Sequence, residues 1–312
     1  MKKLICYFLI LPYIGFAQTE NNPIRGKYLG QKPPGEIPEL FAKNIMSKYC
    51  GLHSSPVFSP NLKEIFWSKM RGEGCNEKTD EILFMKLINN TWTEPEIVPF
   101  SSAIWDSNDP CMSPDGKRIY FTTHRSSGFL SFDFTEKIMY VERKGDGWSS
   151  GKTVGNNINS MFRHWQMSVS NNYNLYFRAD KSSVKDPGIY VSRYINGIYQ
   201  EPERLPDEIN SENTTPYDPY TPFISPDESY IIFTRTLKDK GDDLFVSFRD
   251  SKGKWTKAKN LGDKINSPYH DLCPNVTPDG KYLFFLSGRK GGSLAFWVST
   301  KVIDELKPDN LK

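Results

Sequence analysis

Five stretches carry variants of one phrase: Pro56-Val57-Phe58-Ser59-Pro60-Asn61, Pro110-Cys111-Met112-Ser113-Pro114-Asp115-Gly116, Trp165-Gln166-Met167-Ser168-Val169-Ser170, Pro222-Phe223-Ile224-Ser225-Pro226-Asp227 and Pro274-Asn275-Val276-Thr277-Pro278-Asp279-Gly280. Their hydroxyl residues Ser59, Ser113, Ser168, Ser225 and Thr277 stand 54, 55, 57 and 52 residues apart. A period of that size accommodates one four-stranded unit per repeat. Within the phrase a short apolar strand runs into a turn, and Asp and Gly supply the backbone conformations a tight hairpin requires. Asp115, Asp227 and Asp279 therefore read as turn formers.

Outward from each phrase the same order recurs. A second strand, rich in aromatic and β-branched residues, occupies 64–68, 118–122, 174–177, 230–234 and 282–286. A third comes at 82–85, 138–141, 189–192, 244–247 and 295–298. These compositions belong to sheet, not helix. Trp92, Trp148, Tyr199 and Trp255 mark the start of a fourth strand, which ends in a cadence clearest as Ile158-Asn159-Ser160, Ile209-Asn210-Ser211 and Ile265-Asn266-Ser267.

The fifth unit stops after its third strand. Its missing partner lies at the other end of the chain, because Glu39-Leu40-Phe41-Ala42-Lys43-Asn44-Ile45-Met46-Ser47 has the shape of Lys259-Asn260-Leu261-Gly262-Asp263-Lys264-Ile265-Asn266-Ser267. The order predicts an all-β chain forming a single β-propeller of five blades, four antiparallel strands each, with the N-terminal strand closing the last blade. Closure leaves few sheet edges exposed. A linear solenoid would need capping repeats, and none is evident. Six blades are the alternative, should residues 27–51 hold a degenerate blade. The third repeat departs from the pattern: Trp165 stands in place of Pro, and Val169-Ser170-Asn171-Asn172 replaces Pro-Asp-Gly, which predicts a different hairpin there.

The phrase Ser-Pro-Asp-Gly leading into an aromatic strand, and then the Trp-to-Ile-Asn-Ser cadence, resembles the TolB-type, WD-repeat-like propellers of bacterial envelope proteins. The resemblance covers residues 28–308. It implies a binding scaffold, a domain fused to a peptidoglycan-binding module or, occasionally, a polysaccharide-acting enzyme.

Lys2-Lys3, the apolar run 4–16 and the small pair Gly15 and Ala17 read as a signal peptide cleaved after Ala17. The run is too short to span a bilayer. The expected layout is 1–17 signal peptide, 18–38 extended segment, 39–306 propeller and 307–312 tail, in a periplasmic or secreted monomer. Cleavage takes the charge count from 40 basic against 37 acidic residues to 38 against 37. That balance gives no field for nucleic acid or an anionic membrane. The expected partner is an envelope protein, a peptide or a glycan. Cys50, Cys75, Cys111 and Cys273 show no disulfide-framework or metal-finger spacing, so free thiols are expected.

In a propeller, the loops leading into the innermost strands and those joining second to third strands open on one face. The former hold His53, Asp106, Asp109, Arg163, His164, Trp165, Asp218, His270 and Asp271; the latter hold Arg71, His124, Arg125, Lys181 and Arg289. These fourteen are the candidate ligand-binding residues. Arg and Lys would grip an anionic group, while His and Asp suit a divalent metal or proton transfer. The alternative is that the same polar residues cap turns. No cofactor is indicated beyond that one metal candidate. The chain has no Gly-x-Ser-x-Gly elbow, His-Glu-x-x-His or Cys-x-x-Cys. The expectation is therefore a noncatalytic binder. A glycan hydrolase or lyase using Asp106, Asp109, Asp218 or Asp271 with His164 or His270 is the alternative. The break in the repeat at Arg163, His164 and Trp165 marks the first place to look for ligand contacts.

Overall fold

A computed structural model describes residues 22–46, 48, 51–70, 80–101, 106–124, 136–182, 185–210, 219–238 and 240–311. The proposed signal peptide, Cys50, Cys75, Arg71, Arg125 and Asp218 lie outside the described residues. Five antiparallel sheets form a five-bladed propeller. Blade 1 runs outward from Val57–Phe58 through Glu64–Lys69 and Glu81–Ile88 to Glu96–Ile97. Blade 2 comprises Asp106–Met112, Arg118–His124, Glu136–Lys144 and Lys152–Thr153. Blade 3 comprises Phe162–Val169, Leu175–Ser182, Lys185–Ser192 and Glu203–Arg204. Tyr220–Ile224, Tyr230–Leu237, Gly241–Phe248 and Lys259–Asn260 build blade 4.

Blade 5 takes Asp271–Val276, Tyr282–Ser287 and Leu294–Ser299 from the C-terminal end, and its outer strand from Glu39–Leu40. Glu39 pairs with Trp297 and Leu40 with Phe296. The N-terminal strand thus closes the ring, and no sixth blade is present in the described residues.

Five buried apolar clusters fill the five seams between neighbouring blades. The alternation of side chains along each strand divides the residues between seams. Ile65 and Trp67 face blade 5, whereas Phe66 between them faces blade 2. The 5–1 seam is the most aromatic, with Phe41 4.8 Å from Phe284 and 5.0 Å from Trp297 between ring centroids. The segment before blade 5's outer strand is more than an extended lead. Tyr28 is buried there, its hydroxyl donating to Asp279 Oδ2 at 2.6 Å, and the Trp92 indole donates to the Gly26 carbonyl at 2.7 Å.

The Ile-Asn-Ser cadence proves to be a bracket, not strand. Asn159 accepts from the Ile138 amide and donates to the same residue's carbonyl, both at 2.9 Å. Asn210 does the same to Ile189, and Asn266 to Leu244. One side-chain amide thereby caps the ladder where the two-residue outer strand ends, accepting from the amide and adding a second donor to a carbonyl that already accepts from Val154, Leu205 or Leu261 N–H. The backbone is then free to turn helically at Asn156–Asn159 and Asp207–Asn210.

The hairpins obey the predicted chemistry, with one correction. Ser113 Oγ donates to Asp115 Oδ1 and Thr277 Oγ1 to Asp279 Oδ1, each at 2.7 Å. In blade 3 the turn-forming hydroxyl residue is Ser170, not Ser168. Its carbonyl accepts from Tyr173 N–H at 2.9 Å, as those of Ser113 and Ser225 accept from Gly116 and Glu228. Its own amide bonds to Asn174, one residue sooner than in the other blades. Tyr173, with φ of 62°, occupies the left-handed position that Gly116 and Gly280 fill at 71°. Ser168 instead accepts from the Ile224 amide of blade 4 at 3.0 Å.

Candidate functional site

Four of the five innermost strands carry a register shift on the same face of the ring. Counted back from the turn hydroxyl, each shift centres on one position, occupied by Asp109, Gln166, Thr221 and Cys273. All four have left-handed backbones, with φ of 53°, 40°, 49° and 57°. A β-bulge re-aims a side chain, and non-glycine residues held at positive φ concentrate where surrounding structure fixes them for a task. All four line one cavity of about 660 Å³ at the channel mouth. Leu52, Met70, Leu272 and Leu286 give it apolar wall, and Trp165, Tyr220 and Tyr269 give it aromatic wall. Trp165 and Tyr220 meet edge to face at 6.3 Å.

Two histidine–carboxylate pairs flank this cavity. His53 Nδ1 is 3.0 Å from Asp109 Oδ1, and His270 Nδ1 is 2.5 Å from Asp242 Oδ2. Burial opposes charge on His53, but Asp109, with Asp80 and Glu136 behind it, outweighs that and raises its pKa to about 9. His53 is therefore an imidazolium at neutral pH. Between the pairs, the Gln166 side chain is nine-tenths buried, and its Oε1 has no hydrogen-bond partner. Cys273 is a free thiol whose pKa burial and the nearby carboxylates push well above the usual range.

The remaining predicted residues distribute differently. His124 lies on the same face, bonded to Glu136 Oε1 at 2.8 Å, and that bond raises its pKa. Asp106 is buried and accepts from the Asp80 amide at 3.1 Å. Lys181 is exposed. Arg163 is partly exposed, 3.9 Å from Asp180. None of these four lines the cavity.

Three expectations need correcting. His164 is fully buried, both ring nitrogens 2.9 Å from carbonyl oxygens, those of Glu136 and Ile158. Burial lowers its pKa to about 4, so it is a neutral brace inside the wall with nothing to offer a ligand. Asp271 and Arg289 neutralise each other at 2.7 Å; Asp271 also accepts from Ser267, and Arg289 donates to the Ile265 carbonyl. Arg289 thus does not line the cavity. His164, Arg235 and Arg289 share one task instead, each contacting the carbonyl of the bracket isoleucine: Ile158, Ile209 and Ile265.

Gln166, Thr221, Cys273, Tyr220 and Tyr269 were not among the predicted residues. A signal existed, since proline comes directly after three bulge positions, at Pro110, Pro222 and Pro274. Among the described residues, no group of three His, Cys, Asp or Glu side chains could hold a metal ion.

On the opposite face a groove of about 740 Å³ lies between blades 1 and 2, and four of its charged residues are paired with one another. Arg143 grips both oxygens of Glu64, and Lys117 lies 3.5 Å from Asp115.

No protein-family model and no curated protein matches the chain. Its fold does match solved structures. TolB from Acinetobacter baumannii superposes with a TM-score of 0.51 at 18% identity, over 80% of this chain and 52% of that one. The match thus spans about half of the TolB chain. An α-L-arabinofuranosidase from Lactobacillus brevis gives 0.49 at 13% identity, over 81% and 93% of the two chains. An oligogalacturonate lyase from Vibrio parahaemolyticus gives 0.41 at 12%, over 84% and 79%. At these identities the likeness concerns the fold. The class is a five-bladed propeller with a TolB-like fold and a bulge-lined cavity at its channel mouth. Among the described residues no helix is long and apolar enough to cross a membrane.

Proposed function

We propose that this protein is an exported, noncatalytic propeller that binds a peptide segment of a cell-envelope protein at the mouth of its channel. One observation carries this reading: four strained bulge residues from four blades converge on one cavity, and one of them, Gln166, offers it a buried, unpartnered acceptor. A peptide supplies donors for that acceptor and apolar side chains for Leu52, Met70 and Leu286.

Catalysis is the weaker reading. Asp109 is bonded to His53 and Thr122, Asp242 to His270 and Thr236, and Asp271 to Arg289. The protonated His53 is no base at neutral pH, and the Cys273 thiol is not activated. Localisation rests on the apolar run 4–16 ahead of Ala17.

A thermal-shift screen of the full chain against short peptides and neutral or acidic oligosaccharides tests the reading. Stabilisation by a peptide, removed by Trp165→Leu, is expected. Stabilisation by oligosaccharides alone, or by neither class, would overturn it.

A further inference from the structure

The described lining of the cavity differs from what the sequence suggests. The fourteen candidates include Arg71, Arg125, Arg163, Lys181 and Arg289, yet no lysine or arginine is among the described residues lining the cavity. Arg289 is turned away onto Asp271 and the Ile265 carbonyl. What the cavity has instead is acceptors and aromatic faces. Asp109 stands in its wall, paired with His53; Asp242 is paired with His270 of the lining; and Gln166 Oε1 has no hydrogen-bond partner.

Trp165 already shows what its ring attracts, because the Arg178 guanidinium lies 5.0 Å from its centroid. Indole and phenol faces favour cations, and a buried acceptor lacking a donor favours a ligand that brings one. Apolar wall from Leu52, Met70 and Leu286 suits a methylene stem leading to that charge.

We propose that the channel mouth recognises a primary ammonium group on an apolar stem, presented by a lysine of the bound peptide. The proposal rests on the peptide-binding reading above and names the side chain that reading leaves open. The ammonium would donate to Gln166 Oε1, lie against Trp165 and Tyr220, and sit on the side of the lining that holds Asp109. An acidic side chain would bring a further acceptor to the Gln166 oxygen and a like charge to Asp109, whose His53 partner is already engaged.

Three blocked pentapeptides, glycine at every position except a central lysine, norleucine or glutamate, provide the test. Isothermal titration on the full chain is expected to show the lysine peptide binding about tenfold tighter than the norleucine peptide, with glutamate weakest. Gln166→Leu should remove most of the difference between lysine and norleucine binding. Gln166→Glu, which keeps the size and adds a charge, should increase the advantage, and circular dichroism of both variants checks that the ring is intact. Norleucine or glutamate binding as tightly as lysine overturns the inference while peptide binding at the mouth stands. If none of the three peptides binds, both fail.

Discussion

His53 and Asp109 are joined across the seam between blades 1 and 2, Nδ1 to Oδ1 at 3.0 Å, and this pair ties the state of the mouth to pH. Burial disfavours the charged imidazole, yet Asp109 and its acidic neighbours hold its pKa at about 9, above the unfolded value near ~6.5. A raised pKa stabilises the fold fully below the unfolded value, and that contribution is lost as pH rises through about 9. With a third of the His53 side chain exposed, solvent screening reduces the effect to about 1–2 kcal/mol. Asp109→Asn, which tolerates the left-handed backbone, should lower stability by that amount at pH 6 and by little at pH 10. Urea unfolding at the two pH values checks it; an equal loss at both would show that the ion pair contributes nothing.

The asparagine brackets make a second prediction. Asn210 supplies an acceptor to the Ile189 amide and donates to the Ile189 and Leu205 carbonyls, in a buried site. Asn210→Ala removes the acceptor of the Ile189 amide and a donor to the Leu205 carbonyl, while the Ile189 carbonyl keeps the Leu205 amide, at about 1–3 kcal/mol. Asn159→Ala and Asn266→Ala break the same bracket in other blades, so their losses should add in a double variant. Strongly non-additive losses in denaturant unfolding would mean that the blades do not hold their brackets independently.

Ring closure was legible because it is written in local order: Glu39-Leu40 repeats a cadence whose other copies come after a third strand. Burial within the repeat was less legible. Ser168 and Ser170 sit two residues apart, so both keep the strand's alternation, and only the hairpin bonds decide between them. His164 and Arg289 look like surface loop residues, but each lies beside a bracket isoleucine whose carbonyl needs a donor. The bulge adds one residue and re-aims the neighbouring side chains, so a period-two count misplaced Gln166, Thr221 and Cys273.

Closure by the N-terminal strand should be measurable. Phe41 is 1% exposed, its amide bonded to the Ala295 carbonyl at 2.8 Å and its ring packed against Phe58, Phe284 and Trp297. Phe41→Ala should cost about 3–5 kcal/mol. It should also free the Leu294–Ser299 edge, which would otherwise pair with other chains. A lower melting temperature together with oligomers on size-exclusion chromatography is the expected result; a monomer of unchanged melting temperature would show that the strand is dispensable.

Two histidines on one face should separate by phenotype. His164 has no exposed surface, and its ring spans carbonyls of blade 2 and of the Asn156–Asn159 turn. His164→Ala opens a cavity and removes the single N–H that the neutral ring donates to one of those carbonyls, at about 2–4 kcal/mol, without touching the channel lining. His270 is 68% exposed at the rim, so His270→Ala should change stability by less than ~0.5 kcal/mol. Removing the imidazole takes the nitrogen partner from Asp242 and leaves its Thr236 bond, and the carboxylate released from that pairing should strengthen binding of the lysine peptide severalfold. Melting curves and titrations on both variants separate the two roles. A His164 variant that melts normally but loses ligand would return that residue to the binding site and empty the bulge ring of its proposed task.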